Sequence, residues 1–449
     1  MLRKAAISCL ALSLVAPAAA RTRPRYGGTL RVETTGDPWS GFIRRLVFEG
    51  LTDVGADGNI HPGLATAWTA ENGDHRWQFH LRQGIRFHDG TAVTSTAIAA
   101  SLEASCKGNC PWTTMRALGS SIVFTSESPM PGLPALLSSD EFLIHDVNSG
   151  KPLAPGATSG SDGGSGSFQV SGVANGALTL AANEASWRGR PFIDVIEVRG
   201  HRAVSDQWMD LAASRADIVE VPAGEIRQAQ QQHLAPVVSD PVDVLALEVS
   251  TSGALADLNL RSAIAWSIDR NVLASVIFQR QGQASAALLP QKVSGYAFLF
   301  QPQRDLNKAH ELRGGLAAQS LSLAAPTSGA WQLAAQRIAL NLREAGFSVQ
   351  VVPGTATNAD LALRSFPVAG ADPAADLEQM LRASGEALPT IGRDSAAVYR
   401  TERDILDRRT LIPLLHLPRA YAASDRVRDF HLRFDGAPDI DDISLEAAP

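Results

Sequence analysis

Apolar and polar residues alternate along 76–81, where Trp77, Phe79 and Leu81 are separated by Gln78 and His80. A period of two predicts a strand with one buried face. Turn chemistry brackets it, with Ala56-Asp57-Gly58 before and His88-Asp89-Gly90 after. Asp-Gly supplies the backbone freedom that tight turns need. Upstream, the pair Gly27-Gly28 opens a short strand, and 41–49 reads as a helix. Residues 91–104 predict an Ala-rich helix, 240–250 a partly alternating strand, and 260–280 an amphipathic helix pair. In 331–346, Leu333, Ile338, Leu340, Leu342 and Ala345 supply apolar helix positions, and Gly346 suits the helix end. A strand over 347–352 follows.

The first twenty residues have a different pattern. Arg3 and Lys4 precede an apolar run, Ala5 to Val15, and Ala18-Ala19-Ala20 offers a small-residue cleavage site. This predicts a secretory signal peptide over 1–20, with mature protein starting near Arg21 and soluble after export. Cys9 lacks the preceding Leu of a lipoprotein signal. No later stretch is long and apolar enough to span a bilayer.

The string from 46 to 90, LVFEGLTDVGADGNIHPGLATAWTAENGDHRWQFHLRQGIRFHDG, resembles the signature of family 5 extracytoplasmic solute-binding proteins. These are the oligopeptide, dipeptide and nickel-type receptors of ABC importers. Further segments carry the same likeness: 164–170 (GSGSFQV), 178–194 with Trp187-Arg188-Gly189, 209–221 (MDLAASRADIVEV), 260–280 (LRSAIAWSIDRNVLASVIFQR) and Leu288-Leu289-Pro290. The resemblance covers most of 27–449, most densely up to about 290.

The resemblance implies an α/β chain with the two-lobed, type II periplasmic-binding-protein fold. Mixed sheets are flanked by helices, and the first lobe carries an extra small subdomain. The first lobe would span 24–242, with the subdomain at about 50–165. The second would span 243–414, and 415–449 would return to the first. The implied function is the periplasmic substrate-binding component of an ABC importer. It would capture a peptide or related small solute by hinge closure and pass it to an inner-membrane permease, as a monomer without a cofactor. A receptor for a non-peptide solute (an anionic small molecule or a metal chelate), a degenerate sensor or scaffold, and a secreted hydrolase are the alternatives.

Candidate ligand contacts follow from the same likeness. Thr35, Gly36 and Trp39 lie in the loop after the first strand, where the family's chain reaches its cleft. Trp39 is a cleft wall or a core residue. Arg364 is an anchor for a ligand carboxylate or a surface arginine. Phe366 or Pro367 replaces the family's loop tryptophan, Val368 follows in the same loop, and Phe366, Val368 and His416 are possible ligand contacts. In peptide-binding members, a loop aspartate pairs with the peptide's amino terminus. Here 367–371 holds no acid, and Asp372 matches a structural Asp-Pro. Weak dependence on a free amino terminus, and a stronger one on a ligand carboxylate, are therefore expected.

Composition changes the picture little. The net charge is −6; without Arg3 and Lys4, 38 Lys and Arg face 46 Asp and Glu, giving −8. Mild acidity argues against nucleic acid or an anionic membrane as partner. Cys106 and Cys110 form an even pair in an exported chain and read as a disulfide in preference to free thiols or a metal site. The Gly/Ser-rich stretch 150–167 reads as a surface loop, since it fits no Walker, nucleophile-elbow or dinucleotide pattern. His80 and His88 fall on a strand and its turn and read as structural. No nucleophile–base motif is evident, so catalysis is not expected.

Overall fold

The computed structural model describes residues 25–39, 41–106, 110–149, 163–174, 176–315, 319–356, 358–368, 372–387, 389 and 391–446. The signal-peptide reading, and most of the Gly/Ser-rich loop, lie outside the described residues.

One eleven-stranded mixed sheet runs through the molecule. At its centre two thirteen-residue strands, Val237–Val249 and Leu411–Ala423, pair antiparallel along their length. The strand expected over 240–250 is therefore longer at its start. Its ladder is interrupted between Val238 and Pro241, between Pro241 and Asp243, and between Leu245 and Ala246. Pro241 faces Pro418 there. Proline has no amide hydrogen to donate, so irregular pairing at this point follows from composition.

On one side of the centre, Thr29–Glu33 lies parallel to Val195–Arg199 and Ile218–Glu220. Leu30, Ile196, Val198 and Ile218 are fully buried and form a first-lobe core with the helix Phe42–Val47. On the other side, Ser320–Ala325 lies parallel to Ser348–Pro353 and Leu361–Pro367. The helix Gly329–Glu344 covers these strands through Ala335, Ile338 and Leu342. Leu333 and Leu340, expected in its apolar stripe, are exposed instead. The stripe is thus narrower than the sequence suggested, and Gly346, with φ 89°, follows the helix end as expected.

The small subdomain is a four-stranded antiparallel sheet, with Ala65–Glu71, Arg76–Leu81, Ser121–Thr125 and Thr114–Leu118 in spatial order. Trp77, Phe79 and Leu81 are buried and His80 is exposed, as the alternation requires. Phe79, Phe124 and Trp112 meet edge to face against the helix Ser95–Cys106. That helix starts four residues later than expected and ends at a disulfide between Cys106 and Cys110. Among the described residues no helix is long and apolar enough to cross a membrane.

Glu402 is the most consequential buried acid of the second lobe. It sits on the helix Ser395–Arg408 with no exposed surface. Its Oε1 accepts the backbone N–H groups of Leu288 (2.6 Å) and Leu289 (3.0 Å), fixing the Leu-Leu-Pro stretch. Burial nevertheless pushes its pKa up from 4.5 to about 7. Between those values the folded chain keeps a proton that the unfolded chain has lost, so stability falls as pH rises through that window. Glu402→Gln keeps the acceptor and removes the titration. Its unfolding free energy should lose less than the wild type's between pH 4.5 and 8, by up to about 3 kcal/mol. Denaturant unfolding at both pH values measures this, and identical losses in the two proteins would refute it.

Candidate ligand-binding cleft

A cavity of about 230 Å³ lies where the lobes face each other. From the first lobe it is lined by Phe42 and Arg45 of the helix Phe42–Val47, by Ala135 to Glu141 without Leu137, and by Arg419 and Asp435. From the second lobe it is lined by Pro367 and Val368 and by one face of the helix Pro373–Ala383: Ala375, Asp376, Glu378, Gln379 and Arg382. Asp372 starts this helix, accepting Ala374 N–H at 3.0 Å, with Pro373 in the first turn. Acids near a helix N-terminus are favoured by its dipole, so the local fold draws carboxylates to this wall.

Ion pairs organise the lining. Arg45 binds Asp140 (2.8 Å), Asp53 (3.5 Å) and the Ser138 carbonyl (3.0 Å). Arg419 makes a two-pronged pair with Asp243 at 2.8 and 2.9 Å. Arg393, behind the second-lobe wall, binds Asp372 and also Glu378 (3.3 Å). Arg382 reaches Glu141 of the opposite lobe at 3.4 Å. Burial raises the pKa of both Asp372 and Glu378. The lining holds six carboxylates (Asp140, Glu141, Asp372, Asp376, Glu378, Asp435) against three guanidinium groups (Arg45, Arg382, Arg419).

Of the residues singled out from sequence, Val368 lines this cavity and the others lie outside its lining. Thr35 is exposed and donates through N and Oγ1 to Glu220, at 2.7 and 2.6 Å. Gly36 accepts from His201 N–H. Trp39 is half-buried against the first-lobe core. Phe366 is in the second-lobe core, 2% exposed. Arg364 is three residues back from Pro367, about 10 Å along the strand. It pairs with Glu248 at 3.0 Å and donates to the Ala383 carbonyl, at the C-terminal end of the helix Pro373–Ala383. His416 is 1% exposed, and its Nε2 donates to the Ala287 carbonyl at 2.8 Å. Burial pushes its pKa down to about 4, so it is a neutral strand-packing residue. The anchor expected from Arg364 is thus committed elsewhere, and the helix after the acid-free loop supplies carboxylates in its place. That charged face was readable: Asp372, Asp376 and Gln379 recur at i, i+4 and i+7, and Ala375, Glu378 and Arg382 at i, i+3 and i+7.

The motifs that carried the resemblance meet in the first lobe, beside the cleft. Glu49, buried, accepts from Trp187 Nε1 (2.8 Å) and Arg188 Nε (3.2 Å) through Oε1, and from Ser165 Oγ (2.9 Å) through Oε2. His88 Nε2 donates to the Gly166 carbonyl at 3.0 Å. A side chain at Gly164 or Gly166 would strike the carbonyls of Val47 and Leu46. Asp53, held low by Arg433, Arg188 and Arg45 despite its burial, extends the network to the C-terminal segment. Asp441, pushed up to about 6 by burial, lines a small cavity of about 40 Å³ together with Glu49, Asp53, Arg188 and Arg433.

A family profile described as bacterial extracellular solute-binding proteins, family 5 middle, matches residues 59–386. The chain belongs to this family. A curated relative, the probable D,D-dipeptide-binding periplasmic protein DdpA of Escherichia coli, is 26% identical over 305 residues, covering 64% of this chain and 56% of DdpA. The match therefore spans about half the length of that relative. Staphylococcus aureus NikA, solved in complex with Ni(L-His)2, shares the fold with a TM-score of 0.81 at 15% identity. That match covers 93% of this chain and all of the NikA chain. Helicobacter pylori DppA, solved with the peptide STSA, gives 0.76 at 18% identity, covering 94% of this chain and 99% of DppA.

The lobes also approach each other at Gly132. A Cβ there would collide with Asp372 Oδ2 and come within 3.2 Å of Arg393 Cδ and Nε. Asp372 is held by its capping bond and by Arg393, so it cannot swing aside freely. Gly132→Val should wedge the lobes apart. Its radius of gyration by small-angle scattering should exceed the wild type's, with the thermal midpoint within a few degrees, because no core is altered. An unchanged radius would show that this contact does not limit closure.

Proposed function

We propose that the chain is the substrate-binding component of an ABC importer, exported to the periplasm. It captures a peptide or a related small solute by hinge closure and delivers it to a permease. The observation that carries this reading is a cleft lined from two lobes that share continuous strands, Val237–Val249 and Leu411–Ala423. Such a joint lets lobes swing without coming apart, and a ligand touching both favours the closed arrangement. The disulfide Cys106–Cys110 fits an oxidising compartment. The lining of ion pairs and carboxylates is suited to holding a solute, and no catalytic step is assigned to it. The chain is read as acting as a monomer.

Small-angle scattering tests this. Protein from its native host is denatured, the released solute is identified by mass spectrometry, and that solute is added to refolded, emptied protein. The radius of gyration should fall on addition. A bound solute that leaves the radius unchanged would replace the receptor reading with a sensor or scaffold.

A further inference from the structure

We infer that the cleft selects a compact organic solute of net positive charge, and that Glu141 and Glu378 set this preference. The inference rests on reading the interlobe cleft as the ligand site and goes on to the solute's size and charge.

Size comes first. The cavity has a volume of about 230 Å³. Small-molecule sites usually run from roughly 300 to 1,000 Å³. The Gly132 backbone against Asp372, and Glu141 against Arg382, close the space between the lobes. With the lobes in this position the space suits a compact solute better than an extended peptide of several residues.

Charge comes second. Carboxylates outnumber guanidinium groups two to one in the lining. Two of the three guanidiniums are also engaged from behind it, Arg45 by Asp53 and Arg419 by Asp243. On the second-lobe wall, Arg393 is shared between Asp372 and Glu378. Arg382 then faces Glu141 while lying close enough to Glu378 to act on it. Three acids thus share two cations across the closing gap. Burying an uncompensated carboxylate is costly, and a cation placed beside it recovers that cost. Glu378 and Glu141 have only a shared or partly exposed cation each, which leaves room for the ammonium or guanidinium group of a solute beside them.

The test uses full-length mature protein and four probes: alanyl-alanine amide (net +1), alanyl-alanine (neutral overall), N-acetyl-alanyl-alanine (net −1) and penta-alanine amide. Affinities are measured by calorimetry. The dipeptide amide should bind at least tenfold tighter than the acetylated dipeptide and tighter than the pentapeptide amide. Glu378→Gln and Glu141→Gln should each shrink the charge preference, while Arg382→Gln should widen it, an opposite response that loss of folding cannot produce. Equal binding of the charged forms, or preference for the acetylated or longer probe, overturns the inference. Where none of the four binds, the solute released from native protein decides, and a neutral, anionic or larger solute overturns the inference. The absence of any solute-induced closure would instead count against the receptor reading itself.

Discussion

Two strands carry the architecture. Val237–Val249 and Leu411–Ala423 are each part of both lobes, and each pairs with the other from Val237–Tyr421 at one end to Glu248–Leu411 at the other. The backbone bonds of this ladder cannot be given up without stranding polar groups in the core, because Leu245, Leu247, Leu414 and Leu415 beside them are fully buried. The lobes therefore stay joined; the ladder is interrupted between Leu245 and Ala246 and over the stretch around Pro241 and Pro418. The cleft opens beside that stretch, with Arg419 and its partner Asp243 next to it.

The fold was legible because the readable motifs hold parts of one lobe together. Glu49 of the Glu-Gly-Leu-Thr string, Ser165 and Gly166 of the glycine turn, Trp187 and Arg188, and His88 of the Phe-His-Asp-Gly turn all meet around one buried carboxylate or next to it. Each position tolerates few alternatives. Gly164 and Gly166 press on helix carbonyls, and Glu49 needs all of its donors because an unpaired buried carboxylate is strongly disfavoured. Strict local chemistry of this kind leaves a clear trace in sequence. The subdomain strand at 76–81 was legible for the simpler reason that one face is buried and the other is not.

The cleft was less legible, for a physical reason. Its lining is set by register and by helix faces, which depend on partners far away in sequence. Arg364 is diagonal to Glu248 because Ala246 pairs with Arg364 in the ladder, and nothing near Arg364 in sequence announces that acid. His416 is consumed by the Ala287 carbonyl 129 residues earlier. Leu333 and Leu340 match the helical period yet face solvent, since apolar spacing does not say how wide a stripe the neighbouring sheet covers. Val368 lies where the strand leaves the core for the cleft. The acids of 372–378 could have been found by treating that segment as a helix with a charged face.

The strength of the ion pairs is divided in a way that would suit the proposed opening and closing. Within the first lobe, Glu49 is buried against Arg188, while the half-buried Asp53 is shared by Arg45, Arg188 and Arg433; removing Arg188 would leave the Glu49 carboxylate without a cation, at a cost of several kcal/mol. Across the lobes, Glu141 and Arg382 are nearly half exposed, 45% and 44%, at 3.4 Å. Exposed pairs of this kind contribute about 0–1 kcal/mol. On the proposed receptor reading, that is too little to lock the cleft against thermal motion, yet enough to bias it toward closure once a bound solute adds contacts of its own. A stronger cross-lobe pair would hold a captured solute at the expense of release. Weak pairing across the gap at Glu141 and Arg382 and stronger pairing within the first lobe would then serve the proposed capture and release together, as rigid walls and a reversible gap.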